Sequence, residues 1–338
     1  MWKNTKVLVT GGASFIGSHL VEQLVLRGAR VRVVDDLSSG KKENLRQVVG
    51  KNRLEFVKGN LLHLAVAQKV VKNIDVIFHL AAIHGGRGFV DTYQAVCADN
   101  ILLDVQLIRL AKEACVKKFV FASSGCVYPG YLQTDRTKKL FLSERAVGPP
   151  YEPDNMYGWA KLTTEKMLQA YASDYKLRSV SCRYFTVYGP RGKENHAVIA
   201  LIARAFVHQD PFEVWGDGTQ IRNWTYVSDI VRGTILSAEK ISSGEAINLG
   251  TTERIRVRDA VEEVFRLTNF RPKIAYLRSY PTGPINRVCD NRKAKKHLGW
   301  SPAVKFRDGL RTTVDWYFST HNVSDVKQRL PRLLFDRS

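Results

Sequence analysis

The chain opens with a regular alternation of two kinds of hydrophobic pattern. Short apolar runs, typical of strands buried on both faces of a parallel sheet, are separated by longer stretches in which apolar positions recur every three or four residues. The short runs predict strands at residues 7–10, 31–34, 54–57, 76–80, 118–122 and 179–183, and the longer stretches predict helices at residues 18–26, 96–114 and 157–175. Repeated strand–helix–strand units with short links predict an α/β protein with a doubly wound parallel sheet.

The pattern changes after Tyr188-Gly189-Pro190-Arg191, where segments become shorter and glycine-rich turns appear. The later apolar segments are expected to be strands that return to the sheet at residues 223–227 and 246–250, and helices at residues 259–267 and 308–318. We expect a main domain over residues 1–187, with returning segments near 223–250, and a smaller interleaved C-terminal lobe over residues 188–222 and 251–321. The basic tail at residues 322–338 is expected to be poorly ordered.

Composition indicates a soluble globular enzyme. Hydrophobic residues make up 44% and charged residues 25% of the 338 residues, which are ordinary values for that class. No run approaches the roughly 18 apolar residues of a transmembrane helix, and the N-terminus leads into the first predicted strand without a signal peptide. The five cysteines are odd in number and show no CxxC spacing. We therefore expect reduced thiols in the cytoplasm, no membrane partner and no metal site.

The chain carries a formal net charge of +20, from 52 basic and 32 acidic residues. Such an excess suggests a nucleic-acid partner, but the basic residues are dispersed apart from short pairs such as Lys41-Lys42 and Lys295-Lys296. No zinc finger, RNP signature or base-reading basic helix accompanies them. We therefore expect no nucleic-acid partner, and we interpret the charge as a basic surface that attracts an anionic small molecule.

A glycine-containing turn, Thr10-Gly11-Gly12-Ala13-Ser14-Phe15-Ile16-Gly17, lies between the first predicted strand and helix. Gly11 and Gly17 would let the backbone approach a pyrophosphate, which the N-terminus of the helix attracts. Ser14 stands where the usual spacing has a middle glycine. Asp35 ends the second predicted strand, and its carboxylate would bind both ribose hydroxyls and repel a 2′-phosphate. Together these features predict a Rossmann sheet that binds NAD rather than NADP.

Three polar side chains indicate hydride-transfer chemistry. Tyr157 and Lys161 are spaced i and i+4, so they share one face of a predicted helix. The ammonium and an oxidised nicotinamide would favour the phenolate, which could then take a proton from a sugar hydroxyl. Ser124 follows a buried strand, where it would hold the same hydroxyl.

Cys126 lies two residues after Ser124, and alternation along an extended chain would place both side chains on one face. Most free cysteines are small buried hydrophobes, so that interpretation of Cys126 stays open from its position alone. A thiol at the carboxyl end of a parallel strand would, alternatively, face the ligand crevice of the sheet.

These motifs resemble the extended short-chain dehydrogenase/reductase superfamily, and within it the nucleotide-sugar epimerases. The similarity runs from about Lys6 to about Phe318 and includes the glycine turn, His79-Leu80-Ala81-Ala82, the serine run, the Tyr157–Lys161 pair and Leu298-Gly299-Trp300. The chain departs from the family at Ser14, at Asn60 where an aspartate usually contacts adenine, and at Thr186 where an asparagine usually contacts substrate. The resemblance implies that the cofactor is bound by Gly11, Ser14, Phe15, Ile16, Gly17, Asp35, Asn60, Leu61, Leu80, Ala81, Ala82, Asn100, Tyr157 and Lys161.

Within that superfamily, the chain is similar to GDP-mannose 3,5-epimerases in three places. The run from Ala81 to Phe89 resembles a glycine-rich loop of that family, and its glycines would leave room for a sugar against the backbone. Ser124-Gly125-Cys126-Val127-Tyr128-Pro129 resembles the segment that carries the family's catalytic cysteine. His196 precedes an apolar run where the family carries its second acid/base, a lysine. An exposed loop histidine is the alternative interpretation of His196.

The resemblance implies an NAD-dependent epimerase of a nucleoside-diphosphate sugar, with a GDP-hexose as the expected substrate. Transient oxidation at C4 would acidify the hydrogens on C3 and C5, and a thiol and an imidazole would exchange them on opposite faces of the ring. The catalytic residues would be Ser124, Cys126, Tyr157, Lys161 and His196. Arg222 and Arg287 would clamp the diphosphate, because a planar guanidinium bonds two oxygens at once. The full substrate-binding set would be Gly86, Arg87, Gly88, Ser124, Cys126, Thr186, His196, Arg222 and Arg287.

Other functions stay open. A UDP-sugar 4-epimerase would leave Cys126 inert, because it only presents the other face of the ketone for reduction. An epimerase-reductase resembling GDP-fucose synthase would consume NADPH, which Asp35 disfavours. A 4,6-dehydratase is disfavoured because this chain has Gly125-Cys126 where that family has an Asp–Glu pair. A non-catalytic NAD-binding or RNA-binding relative has only the +20 charge in its favour. The resemblance also implies a homodimer formed through the helices predicted at residues 96–114 and 157–175.

Overall fold

The computed structural model describes residues 2–50 and 52–333. In chain order its strands are β1 (Lys6–Thr10), β2 (Arg30–Asp35), β3 (Leu54–Lys58), β4 (Val76–His79), β5 (Lys118–Ser124), β6 (Ser179–Tyr184), β7 (Val187–Tyr188), β8 (Phe212–Trp215), β9 (Ile221–Arg222), β10 (Thr225–Tyr226), β11 (Ser243–Leu249), β12 (Ile255–Arg256), β13 (Ile274–Leu277) and β14 (Asn286–Arg287). Its α-helices are α1 (Phe15–Leu26), α2 (Leu64–Val71), α3 (Arg87–Thr92), α4 (Gln94–Glu113), α5 (Asn155–Tyr175), α6 (Ala197–Phe206), α7 (Val227–Lys240), α8 (Val257–Thr268), α9 (Arg292–Leu298), α10 (Phe306–Thr320) and α11 (Val323–Leu333).

The largest sheet contains seven parallel strands in the order β3–β2–β1–β4–β5–β6–β11. Its central strands are apolar because both faces are covered, and Val7, Leu8 and Val9 of β1 are fully shielded from solvent. The strand order reverses between β1 and β4, so a ligand crevice is expected outside the carboxyl ends of these two strands. The doubly wound parallel sheet that the sequence predicts is confirmed.

Helices cover both faces of this sheet. Alternate residues of the strands point to opposite faces, and α1 and α7 bury Leu20 and Ile230 against one of them. On the other face α2, α4 and α5 bury Val70, Leu107 and Leu168. A further apolar cluster joins α6, α8, α10 and α11 in the C-terminal part of the chain. No helix of the described ranges is both long and apolar enough to cross a bilayer.

One of the two predicted returning strands does not join the main sheet. The strand expected at residues 223–227 is the two-residue strand β10, which pairs with β7, and Val227 already begins α7. The reason is that Val227, Ile230 and Val231 recur with helical spacing and pack into the core as a helix. The strand expected at residues 246–250 does return, because β11 pairs in parallel with β6.

The expectation of a poorly ordered tail is wrong for residues 323–333. They form α11, in which Val326 and Leu330 lie one turn apart and are buried against the cluster around α6. This spacing gives a basic segment one apolar face, which is enough to dock it as a helix. The last five positions of the predicted tail, 334–338, lie outside the described residues.

Candidate active site

A cavity of about 380 Å³ lies outside the carboxyl ends of the central strands, where the strand order reverses. The turns that follow β1, β2, β3, β4, β5 and β6 build its wall. The predicted site residues on this wall are Gly11, Ser14, Phe15, Ile16, Asp35, Asn60, Leu61, Leu80, Ala81, Ala82, Ser124, Cys126, Tyr157, Lys161, Thr186, His196 and Arg287. The other predicted residues are not among those that line the wall: Gly17, Gly86, Arg87, Gly88, Asn100 and Arg222.

The glycine turn between β1 and α1 has the tight geometry that a dinucleotide needs. Gly11 has a positive φ of 67°, and a Cβ there would lie 2.9 Å from the backbone nitrogen of Ala81. A Cβ on Gly17 would lie 2.1 Å from the Gly11 carbonyl oxygen, so Gly17 is required for the turn itself rather than for the cavity wall. Ser14 has an ordinary φ of −82°, and it precedes α1 without needing the freedom of glycine.

Asp35 ends β2 and presents its carboxylate at the cavity. Its oxygens accept hydrogen bonds from the backbone nitrogens of Ala13, at 3.0 Å, and Leu37, at 2.9 Å. Burial raises the pKa of Asp35, and the two backbone hydrogen bonds counteract part of that rise. A negative group in this place would repel a 2′-phosphate, so the residues fit NAD.

The structure gives the two predicted asparagines different places. Asn60 lies on the cavity wall, where its side-chain oxygen accepts a hydrogen bond of 2.9 Å from the backbone nitrogen of Leu62. Asn100 is fully buried in α4 instead, and its amide bonds both the backbone nitrogen and the carbonyl oxygen of Ile83. A buried asparagine that satisfies loop backbone groups in this way positions the Ala81–Ile83 segment without reaching the cavity.

Ser124 and Cys126 come together through a turn rather than through strand alternation, so the expected extended geometry is wrong. β5 ends at Ser124, and Gly125–Val127 forms a single 3₁₀ turn. The Ser124 Oγ accepts a hydrogen bond of 3.1 Å from the Cys126 backbone nitrogen. Cys126 is half-buried on the cavity wall, which makes it accessible to a ligand and contradicts a purely structural buried thiol.

Tyr157 and Lys161 lie on the buried face of α5 and reach the same cavity. α5 can pack this closely because Gly158 has no Cβ, which would lie 2.4 Å from the Cys126 carbonyl oxygen. Burial raises the pKa of Tyr157 well above its usual value, and a hydrogen bond from Ser124 lowers it in part. Burial lowers the pKa of Lys161, whose Nζ lies 4.5 Å from the centre of the Phe121 ring.

His196 faces the cavity from the residue that precedes α6, so it is not an exposed loop histidine. Its ring centre lies 5.5 Å from that of His84, whose own ring centre lies 4.6 Å from that of Tyr157. Burial, followed by the charge of Lys193, lowers the pKa of His196 to about 4. The imidazole is therefore neutral near physiological pH, and it is available as a proton acceptor.

Three guanidinium groups gather at one end of the site. Arg287 donates to Gln133 at 2.6 Å and to Asp154 at 2.9 Å, and its Nη1 lies 3.5 Å from the Cys126 Sγ. Arg87 donates to Asp154 at 2.7 Å as well. Burial, followed by the charges of Arg287 and Arg87, lowers the pKa of Arg222 to about 9. This concentration of positive charge is suited to an anionic group such as a diphosphate.

Asp154, His84 and Lys193 are site residues that the sequence did not single out. Burial alone would raise the pKa of Asp154, but Arg287 and Arg87 outweigh it and hold the pKa below its usual range. Asp154 stands directly before α5, three residues ahead of Tyr157, and His84 lies inside the glycine-rich run. Their positions next to these motifs could have marked Asp154 and His84 as candidates. Their contacts could not be predicted, because the residues they contact are distant along the chain.

At Gly85 and Gly86 of the glycine-rich run, other parts of the protein occupy the space that a side chain would take. A Cβ on Gly86 would lie 1.9 Å from the carbonyl oxygen of Asn195, and a Cβ on Gly85 would lie 2.6 Å from Phe89. The space is thus filled by the backbone segment that leads to His196. Glycine permits this close packing of two loops because it has no side chain.

A parallel doubly wound sheet with a glycine turn, an acidic residue at the end of the second strand and a Tyr–Lys pair beside a serine defines a dinucleotide-dependent enzyme. The chain belongs to the NAD dependent epimerase/dehydratase family, whose profile matches residues 7–250. It is accordingly an NAD-dependent enzyme of the group that acts on nucleotide sugars.

The relatives within this family differ in substrate. An Arabidopsis thaliana GDP-mannose 3,5-epimerase is 31% identical over 319 residues, which covers 93% of this chain and 82% of that protein. An uncharacterised UDP-glucose epimerase of Bacillus subtilis is 34% identical over 324 residues, with coverage of 94% and 99%. The crystal structure of a Bacillus cereus UDP-glucuronic acid 4-epimerase with UDP-glucuronic acid and NAD superposes with a TM-score of 0.83 at 31% identity, with coverage of 96% and 99%.

Proposed function

We propose that the protein is a 3,5-epimerase of a GDP-hexose, with GDP-mannose as its substrate. The observation that carries this proposal is that a thiol, Cys126, and an imidazole, His196, line the same cavity as Tyr157. A 4-epimerase requires neither group, because it only presents the other face of the ketone for reduction. The similarity to the Arabidopsis thaliana GDP-mannose 3,5-epimerase over 93% of the chain supports the same substrate.

Tyr157, Lys161 and Ser124 carry the oxidation and the final reduction at C4. NAD held by the glycine turn and Asp35 would supply reversible hydride transfer at C4. Tyr157 accepts the proton of the C4 hydroxyl, while Ser124 holds that hydroxyl by a hydrogen bond. Lys161 stabilises the phenolate form of Tyr157 through its positive charge.

Cys126 and His196 exchange the protons on C5 and C3. The ketone at C4 acidifies the hydrogens on the neighbouring carbons, and inversion requires removal from one ring face and delivery to the other. His196 enters this exchange as the proton acceptor, because its pKa of about 4 leaves it unprotonated near neutral pH. The thiol of Cys126 carries a proton that it can deliver from the other side.

The arginine cluster holds the diphosphate. Arg287 lies on the cavity wall, and Arg87 and Arg222 add positive charge near it. Thr186 lies on the wall as well, and Gly86 acts indirectly by packing its loop against the backbone of Asn195, next to His196. Diphosphate binding would compete with Asp154 for Arg287, because that arginine now donates to the carboxylate at 2.9 Å.

A comparison of two cysteine variants tests this function. Cys126→Ser should reduce turnover of GDP-mannose by about 100-fold, because a hydroxyl is a much weaker acid/base than a thiol near neutral pH. Cys115→Ser is the matched control, since Cys115 is an exposed thiol away from the cavity, and its turnover should stay within about twofold of the wild type. Products would be followed by NMR, and full activity of Cys126→Ser would overturn the 3,5-epimerase.

A UDP-sugar 4-epimerase is the second candidate. It is favoured by the superposition on the Bacillus cereus UDP-glucuronic acid 4-epimerase at a TM-score of 0.83. In that case a UDP-sugar, and not GDP-mannose, would be interconverted at C4, and Cys126→Ser would keep its activity. An epimerase-reductase that consumes NADPH is disfavoured by the carboxylate of Asp35 at the cavity wall.

A homodimer in the cytoplasm is the assembly and compartment that we propose. α4 and α5 pack together in one protomer and leave Val96, Leu102, Trp159 and Tyr175 exposed, which supports a helical interface with a second copy. The five cysteines all lie among the described residues and are free thiols, which fits a reducing compartment.

A further inference from the structure

A chain of four buried polar side chains runs behind the cavity, from β1 to α5. Thr10, His79 and Asp104 are fully shielded from solvent, and Thr164 is 1% exposed. The Thr10 Oγ1 lies 2.7 Å from the His79 Nδ1, and the His79 Nε2 lies 2.8 Å from one Asp104 oxygen. The Thr164 hydroxyl donates to the other Asp104 oxygen at 2.7 Å.

The hydrogen bonds fix the direction of donation along this chain. The Thr10 Oγ1 already accepts from the backbone nitrogens of Leu80, at 3.1 Å, and Ala81, at 3.0 Å. Its single hydrogen is therefore directed to the His79 Nδ1, and the ring hydrogen of a neutral His79 lies on Nε2, pointing at Asp104. Asp104 thus accepts from His79, and it shares the Thr164 hydroxyl hydrogen with the Ala160 carbonyl oxygen, 3.0 Å from that hydroxyl. Both partners are neutral, so neither balances a charge on the Asp104 carboxylate.

A buried carboxylate needs a cation, because an uncompensated charge inside a protein is costly. Lys161 is the nearby candidate, since it is 1% exposed and lies on α5 one turn before Thr164, whose hydroxyl is 2.7 Å from Asp104. Among the described residues the two groups are not in direct ion-pair contact, so Asp104 would act on the ammonium through space. Burial lowers the pKa of Lys161, and of the charges that raise it again Asp104 is the strongest, ahead of Cys126 and Glu165.

The other carboxylate near Lys161 is already paired. Glu165 receives hydrogen bonds from Arg183 Nε at 2.9 Å and Nη2 at 2.7 Å, and one from the Ser123 hydroxyl. The remaining titratable groups that face Lys161 are Cys126 after β5 and Tyr157 on its own helix. Among the charged groups of the described chain that act on this ammonium, Asp104 is therefore the one whose charge is not balanced by an arginine.

We propose that Asp104 is a positioning residue, the buried counter-ion that keeps Lys161 an ammonium beside Tyr157. His79 and Thr10 hold Asp104 in place and connect it to the strand that leads into the glycine turn. The proposal rests on the function given above for Tyr157 and Lys161. It explains how a fully buried lysine can remain charged next to an oxidised nicotinamide, where a second positive charge opposes it.

The test is an NMR titration of lysine side chains labelled with ¹³C at Cε, with the Lys161 signal assigned by its loss in Lys161→Met. Asp104→Asn removes the charge, keeps one oxygen that can accept from His79, and places an NH2 group where Thr164 now donates; the Thr164 hydroxyl can then accept from that group and donate to the Ala160 carbonyl oxygen, 3.0 Å away. The Lys161 signal should titrate at least about one pH unit lower than in the wild type. Thr164→Val is the matched control, because it removes a hydrogen bond and leaves the Asp104 charge, and its titration should stay at the wild-type pH. Asp104→Ser provides a second uncharged variant if Asp104→Asn does not fold.

An unchanged Lys161 titration in the uncharged variants would overturn the proposal. So would an equal shift in Thr164→Val, which would show a packing effect instead of a charge effect. This titration uses no sugar nucleotide, so it does not depend on the proposed 3,5-epimerase activity. If only that activity were wrong, the wild type would show no turnover of GDP-mannose, but its Lys161 titration would still depend on Asp104.

Discussion

At the scale of single residues, the chemistry depends on how burial changes ordinary side chains. Cys126 and its place after a strand could be read from the sequence, because the run Ser124-Gly125-Cys126 is local. Its contact with Arg287 at 3.5 Å could not, because that arginine is far away along the chain. The same holds for His196, because its burial and the nearby charge of Lys193, which lower its pKa, come from the folded chain.

This depressed pKa predicts acid sensitivity of the fold. The pKa of His196 falls from 6.5 to about 4 on folding, so below pH 6.5 the unfolded chain binds a proton that the folded chain does not. Stability from this residue is complete above about pH 6.5 and is lost as the pH falls towards 4. Between about pH 7 and about pH 4.5 the free energy of unfolding should fall by about 2 kcal/mol less in His196→Gln than in the wild type.

Urea unfolding of both proteins at the two pH values measures this effect. The control is Cys115→Ser, an exposed substitution that should lose stability with acid as the wild type does. An equal acid-induced loss in the wild type and in His196→Gln would show that the imidazole is not shielded as the structure indicates.

At the scale of elements, apolar periodicity was sufficient for the long helices and for the central strands. The predicted helices at residues 96–114 and 157–175 correspond to α4 (Gln94–Glu113) and α5 (Asn155–Tyr175). The two-residue strands β9, β12 and β14 could not be predicted, because so short a segment carries no periodic pattern. The packing of Gly86 against Asn195 was equally hidden, since it joins two loops that are distant in sequence.

The exposed faces of α4 and α5 predict the dimer interface. Leu102 on α4 is 57% exposed, and a charge in its place should prevent close packing with a second copy. We expect the wild type to sediment as a dimer and Leu102→Asp to sediment as a monomer. Leu26→Asp is the matched control, because Leu26 is 64% exposed on α1, and it should stay dimeric. A monomeric wild type, or a dimeric Leu102→Asp, would contradict this interface.

At the scale of the whole molecule, the order of strands decides where the chemistry occurs. The sheet reverses between β1 and β4, and residues from six different strand ends meet at that point. The sequence predicted this crevice because each β-α-β unit follows a fixed handedness. It could not predict that the segment at residues 323–333 forms α11 and packs beside α6, since a basic segment with two buried side chains resembles a disordered tail.

The 3,5-epimerase depends on proton exchange at two carbons of the sugar, and incubation of GDP-mannose with the wild-type enzyme in deuterated water measures this directly. NMR and mass spectrometry of the recovered sugar nucleotide should show deuterium at C3 and C5, and Tyr157→Phe should show none, because no ketone forms at C4 to acidify those positions. Recovery of GDP-mannose with hydrogen at both carbons after prolonged incubation with the wild type would contradict the proposed function.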